Sequence, residues 1–130
     1  MKIRIQGNRL RLRLSQLELD HFALEGHVYD TVQFGPHESD ALTYELIRSK
    51  LDDKVHAEFS GSEITVYVPA AQANIWTESE QVGIKHNMDI GTTDELQILI
   101  EKDFQCLHKR SDEDESELYP NPDAAAESTL

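Results

Sequence analysis

The chain is poor in several things at once, and each shortage removes a class of function. It has one cysteine, Cys106, in 130 residues, which excludes an internal disulfide and fits a reducing cytoplasm. It has no run of 18 apolar residues, so no membrane-spanning helix is expected. The opening Met1-Lys2-Ile3-Arg4-Ile5 alternates like a strand and lacks the apolar centre of a secretion signal. Cations are scarce: 12 Lys and Arg face 25 Asp and Glu, a net charge of −13. Such a balance disfavours a broad nucleic-acid interface, because phosphates repel an acidic surface. Gly-x-Ser-x-Gly, His-Glu-x-x-His and the phosphate-cradling Walker loop are all absent. Acidic residues abound, yet no carboxylate pair is marked as catalytic. The expectation is a soluble, cytoplasmic protein with no membrane or nucleic-acid partner, and not an enzyme.

What the chain does contain is an internal echo at an offset of 54 residues. Gly7-Asn8 returns as Gly61-Ser62, and Leu10, Leu12 and Leu14 return as Ile64, Val66 and Val68. Phe22 returns as Trp76, Val28 as Val82, and Leu42, Tyr44 and Leu46 as Leu96, Ile98 and Ile100. In each half two alternating segments flank a two-residue Gly-x loop, the signature of a hairpin with a type II′ turn. Ser15 with Glu18 forms a capping-box pattern, and Gly26 suits the left-handed stop of the helix that follows. Leu17, Leu19, Phe22, Ala23 and Leu24 supply the apolar side of that helix. Pro69 takes the position of Ser15, ahead of a second short helix through Ala73 and Trp76. Two more alternating segments close each half.

The predicted fold is α+β: a strand–strand–helix–strand–strand unit, duplicated over residues 1–54 and 55–108. A mainly antiparallel sheet then closes into a barrel-like or sandwich-like domain with a pseudo-two-fold axis, which protects most strand edges. An acidic block covers 109–122 and completes a single domain of residues 1–122. A disordered tail is expected over 123–130.

The two ends of the chain carry a likeness. Met1-Lys2-Ile3-Arg4-Ile5-Gln6-Gly7-Asn8 opens it, and Lys102-Asp103-Phe104, Cys106-Leu107 and Tyr119-Pro120-Asn121-Pro122 close it. Together they resemble a family of short, uncharacterised bacterial proteins, over Met1 to about Pro122. The resemblance implies a bacterial, stand-alone, single-domain protein. It brings no activity and no catalytic residues.

Two groups of residues are candidate sites. Lys2, Arg4, Arg9, Arg11 and Arg13 are the only charged residues among the first 14, a local charge of +5 in an acidic chain. Strand alternation puts all five on one face of the hairpin, where like charges repel. Three partners fit them: solvent with scattered acids, an external phosphate, or the acidic run of Asp112, Glu113, Asp114, Glu115 and Glu117. That run could fold back or come from a second protomer, and guanidinium groups pair well with carboxylates. This makes the protein a binding or interaction module, with a homodimer or a protein partner. The alternative is a metal- or ligand-handling accessory protein using Cys106, His108 and Asp112. Against it, no further Cys or His stands at a zinc-binding spacing. Asp112-x-Asp114-x-Ser116 opens like a calcium loop, but Glu117 stands where glycine is needed. His21, His27, His37, His56 and His86 show no metal-binding spacing.

Overall fold

The computed structural model describes residues 1–104. The two hairpins form where the turns permit them. β1 (Lys2–Gln6) and β2 (Arg9–Leu14) pair in antiparallel fashion through Gly7-Asn8, and β5 (His56–Ser60) and β6 (Glu63–Pro69) pair through Gly61-Ser62. Gly7 and Gly61 have φ of 57° and 58°, and the residues after them have negative φ, the type II′ pattern. Between and after the hairpins come α1 (Gln16–Glu25), β3 (His27–Gln33), β4 (Ala41–Ser49), α2 (Ala70–Glu78), β7 (Gly83–Asp89) and β8 (Glu95–Lys102). α1 has its complete Ser15–Glu18 capping box and ends on Gly26, whose N–H donates to the Phe22 carbonyl. Pro69 is the N-cap of α2 and also the last residue of β6.

The strands assemble as a sandwich of two mixed sheets and not as a closed barrel. Sheet A has the order β1-β2-β8-β7 and sheet B the order β3-β4-β6-β5. Each sheet therefore takes one hairpin from each half of the chain. The expectation of mainly antiparallel pairing holds for the outer strands, but both central pairs, β2 with β8 and β4 with β6, are parallel. The 54-residue echo is kept in these pairs. Leu10 faces Ile98 in sheet A, and its counterpart Ile64 faces Tyr44 in sheet B.

One part of the echo is corrected. Val28 lies opposite Leu46, and the residue opposite the equivalent Ile100 is Ile84, not Val82. The offset is 56 across β7, because two extra residues precede it. The β7–β8 connection is two residues shorter than β3–β4, which restores 54 in β8. The helix face is also narrower than its sequence suggests. Phe22 is fully buried, but Leu17 and Leu24 are 81% and 79% exposed. A ten-residue helix lying on the end of the sandwich has only one narrow line of contact.

The core is formed by the inward positions Leu10, Leu12, Leu14, Leu46, Val66, Val68, Ile98 and Ile100, with Phe22 and Trp76 from the helices. Phe22 and Trp76 are related by the echo and touch each other edge to face, with ring centroids 6.0 Å apart. They close the helix end of the sandwich. The buried Trp76 indole N–H donates to the Val82 carbonyl at 3.1 Å. Among the described residues no helix is long and apolar enough to cross a membrane.

A second fastening lies where β1 meets β3. The Met1 ammonium is buried and donates to the carboxylates of Glu18 and Asp30, while the Tyr44 hydroxyl donates to the Met1 carbonyl at 3.0 Å. Burial pulls the ammonium pKa down, but hydrogen bonds and charge from Asp30 and Glu18 outweigh it and hold the pKa above its ordinary 8.0. Burial raises the Glu18 carboxyl in turn, and the ammonium and the Ser15 hydrogen bonds bring it below its ordinary value.

Two predictions follow from these fastenings. Trp76→Ala and Phe22→Ala each cost about 3–5 kcal/mol, and the double variant loses less than their sum by about 0.5–1.5 kcal/mol. Leu17→Ala changes stability by under about 0.5 kcal/mol; urea melts of the four variants check all of this. The ammonium's contribution is present below its unfolded pKa and fades as pH rises through the raised folded value. That of Glu18 is present above its unfolded pKa and fades as pH falls through the lowered folded value. Glu18→Gln keeps a side chain able to complete the capping box but removes the charge. Its stability should fall below wild type at neutral pH and converge with it once the pH drops below the folded Glu18 value. A constant gap across that range would disprove the ionic contribution.

Candidate functional site

Because side chains alternate, the outward face of sheet A reads as rows across four strands. One row is Lys2, Arg13, Glu101 and Gly83; the next is Arg4, Arg11, Leu99 and Lys85; the third is Gln6, Arg9, Gln97 and Asn87. The five cations singled out in the sequence do share one face. β8 and β7 then add residues that no local pattern pointed to: two acids, a leucine and a sixth cation, Lys85.

These additions divide the cations into two groups. Lys2 pairs with Asp103 at 2.8 Å, Arg13 with Asp103 at 3.4 Å, and Arg11 with Glu101. So Glu101 near the end of β8 and Asp103 just past it answer both cations of the first row and Arg11 of the second. Among the described residues the remaining cations, Arg4, Arg9 and Lys85, have no acid paired with them. Arg4 donates to the Gln6 side-chain carbonyl at 3.2 Å, and among the described residues neither the Arg9 nor the Lys85 side chain has an ion pair or hydrogen bond. Arg13 Nε is buried with no hydrogen-bond acceptor among the described residues.

Arg4, Arg9, Arg11 and Lys85 surround a depression of about 370 Å³ floored by Leu99, with the amides of Gln6 and Gln97 on its wall. The strands stand about 4.8 Å apart, so Arg4 and Arg11, directly opposite on adjacent strands, are near neighbours, with Arg9 two residues along β2 and Lys85 on the far side of Leu99. Two like charges at about 4 Å repel by about 1 kcal/mol even in bulk water. A monoanion or carboxylate laid over Leu99 relieves several such repulsions at once, with guanidinium forks and amide N–H groups to orient it. The next rung, Asp89 opposite Glu95, is acidic and bounds the patch on that side.

Sheet B shows that this charge is not a property of the scaffold. Its equivalents of Arg4 and Arg9 are Glu58 and Glu63, the equivalent of Arg13 is Tyr67, and Lys85 answers to Tyr29. Its outer face is acidic and aromatic: His27 stacks on Tyr29 at 6.4 Å and His56 on Tyr67 at 4.7 Å. His56 also lies 3.4 Å from Glu58 and 3.6 Å from Asp52. Among the described residues no three His, Cys, Asp or Glu side chains converge as metal ligands. Cys106, His108 and the acidic residues Asp112, Glu113, Asp114, Glu115 and Glu117 lie outside the described residues, as do the rest of the 109–122 block and the 123–130 tail.

Sequence reasoning missed Lys85, Glu101, Asp103 and Leu99 as parts of this face. The alternation in β7 and β8 marks which of their residues point outward, but only the parallel pairing of β2 with β8 places them beside the arginines. No curated protein and no solved structure matches the chain. A family model does: residues 1–123 match a family of unknown function, DUF7009, and the chain belongs to that family.

Proposed function

We propose that this protein is a binding module whose cationic face on sheet A holds acidic polypeptide, with its own Asp112–Glu117 run as the first occupant, in the same chain or from a second protomer. On this reading it is a bacterial, cytoplasmic protein with one domain over residues 1–122, and it carries out no catalysis. The observation that carries the reading is the set of cations with no acidic partner among the described residues, Arg4, Arg9 and Lys85, on a protein of net charge −13. The placement of the chain's exit supports it too. The Asp103 N–H donates to the Leu14 carbonyl, so the chain leaves sheet A beside the Arg13 row. Eight residues from Phe104 to Asp112 reach at most about 26–29 Å, and the three rows span only about 14 Å. The acidic run can therefore reach every row.

Charge reversal at Arg11 or Arg13 is a poor test, since either variant also breaks a contact with Glu101 or Asp103. The informative change is on the other partner. In full-length protein, Asp112, Glu113, Asp114, Glu115 and Glu117 are replaced together by Asn or Gln, and backbone amide spectra are compared. The amides of Arg9, Lys85 and Leu99 should shift. A peptide of residues 111–118 added to the neutralised protein should restore them, with affinity falling at least tenfold between 50 and 500 mM salt as exposed charges are screened. Arg9→Glu with Lys85→Glu should lose that binding. Native mass separates an occupant in the same chain from one donated across a dimer. Spectra identical at those three amides with and without the acidic charges would end the proposal.

A further inference from the structure

The helix end of the sandwich is closed by Phe22 and Trp76, but the turn end is open. There a cavity of about 480 Å³ is lined from both sheets by Ile5, Leu10, Phe59, Ile64, Met88 and Leu96. All six occupy inward positions of their strands, by alternation with the outward rows. Inward apolar side chains in a sandwich are normally covered, yet Ile5 is 61% and Phe59 74% exposed. These two are echo partners, so the lip of the cavity is apolar on both sides. The volume lies within the range of about 300–1,000 Å³ usual for small-molecule sites, and such sites combine an apolar lining with a few polar groups.

The polar groups are at the rim. Arg9 lines this cavity as well as the cationic depression, and its side chain has no ion pair or hydrogen bond among the described residues. Asn8 also lines the rim, its side-chain N–H already donating to the Glu95 carbonyl at 2.7 Å. Glu58 stands on the rim too. A single guanidinium with no partner among the described residues, on a rim to which Glu58 also contributes, favours a singly charged anionic head over a doubly charged one, and the planar fork suits a carboxylate. We infer that the turn-end cavity binds a medium-chain carboxylate, with its alkyl chain between Phe59, Ile5 and Leu96 and its head on Arg9. The inference goes beyond the acidic-peptide reading, sharing only Arg9 with it.

The test is an amide-resolved titration of the full-length protein with decanoate, below its micelle concentration. Decyltrimethylammonium and butyrate serve as controls for the head and the chain. Decanoate should saturate with a submillimolar Kd and shift Leu10, Phe59, Met88 and Leu96. Butyrate and decyltrimethylammonium should each bind at least tenfold more weakly. Arg9→Gln should weaken decanoate at least fivefold, and Phe59→Ser, a change at an exposed position, should remove binding while leaving the melting transition in place. Equal binding of decyltrimethylammonium would mean indiscriminate apolar adhesion and overturn the inference. So would shifts that never saturate, or protein self-association that Phe59→Ser abolishes and decanoate leaves untouched. Shifts at Lys85 and Leu99 report the acidic peptide and those at Phe59 and Met88 report decanoate, so either reading can fail alone.

Discussion

The parallel pairing of β2 with β8, together with its counterpart β4 with β6, makes one core out of two half-length repeats. A hairpin alone has one apolar face and two unpaired edges, and it is marginal in water. Here each hairpin joins one from the other half, so each half completes a sheet for its partner. The register of that exchange is set by apolar alternation, because a slip of one residue would turn Leu10, Leu12 and Leu14 out of the core. It is also why the offset of 54 is strict in the central strands and in the helices. The edge strand β7 tolerates a shift to 56, since it has a partner on one side only and its turn can give back the two residues.

The same exchange explains how the outer faces came to differ. In the central strands, positions that face inward keep the apolar character of their echo partners, as Leu12 does with Val66 and Leu46 with Ile100. Positions that face outward carry no such constraint. Arg4 and Arg9 stand where the other half has Glu58 and Glu63, so one scaffold presents a cationic face and an acidic one. Surface charges this close cost stability unless something answers them. Glu101 and Asp103 answer Lys2, Arg13 and Arg11, and among the described residues they leave Arg4, Arg9 and Lys85 without an acidic partner around Leu99.

Local signals in the sequence were sufficient for the hairpins, the glycine turns, the capping box at Ser15 and the pairing of Phe22 with Trp76. Each of these is decided within a few residues, or by a repeat that can be laid against itself. The exchange of hairpins between sheets was not legible, because alternation names the face of a strand and not its neighbour. Lys85, Leu99, Glu101 and Asp103 were missed as site residues for that reason alone. The exposure of Ile5 and Phe59 was missed for a related one: both have the inward parity of core residues, and only their place at the open turn end of the sandwich leaves them uncovered.

The two flanks of the sandwich are fastened differently. On the β1–β3 flank the Met1 ammonium, Glu18, Asp30 and Tyr44 tie the sheets together with ionic and hydrogen bonds. The echo replaces Met1 by Val55, Glu18 by Gln72 and Tyr44 by Ile98, and the shifted offset puts His86 where Asp30 would be. The β5–β7 flank therefore has no ionic tie of that kind among the described residues. It is joined instead by apolar contact and by the Ala57 N–H approaching the Met88 sulfur at 3.3 Å. A thioether is a weak acceptor on a flexible side chain, so this flank is held by a softer contact than its twin. The cavity that takes in Phe59 and Met88 lies along this softer flank. An apolar ligand entering there displaces no ion pair and moves only side chains that can repack. The asymmetry thus ties one flank through Met1 and leaves the other held by apolar contact and one weak hydrogen bond.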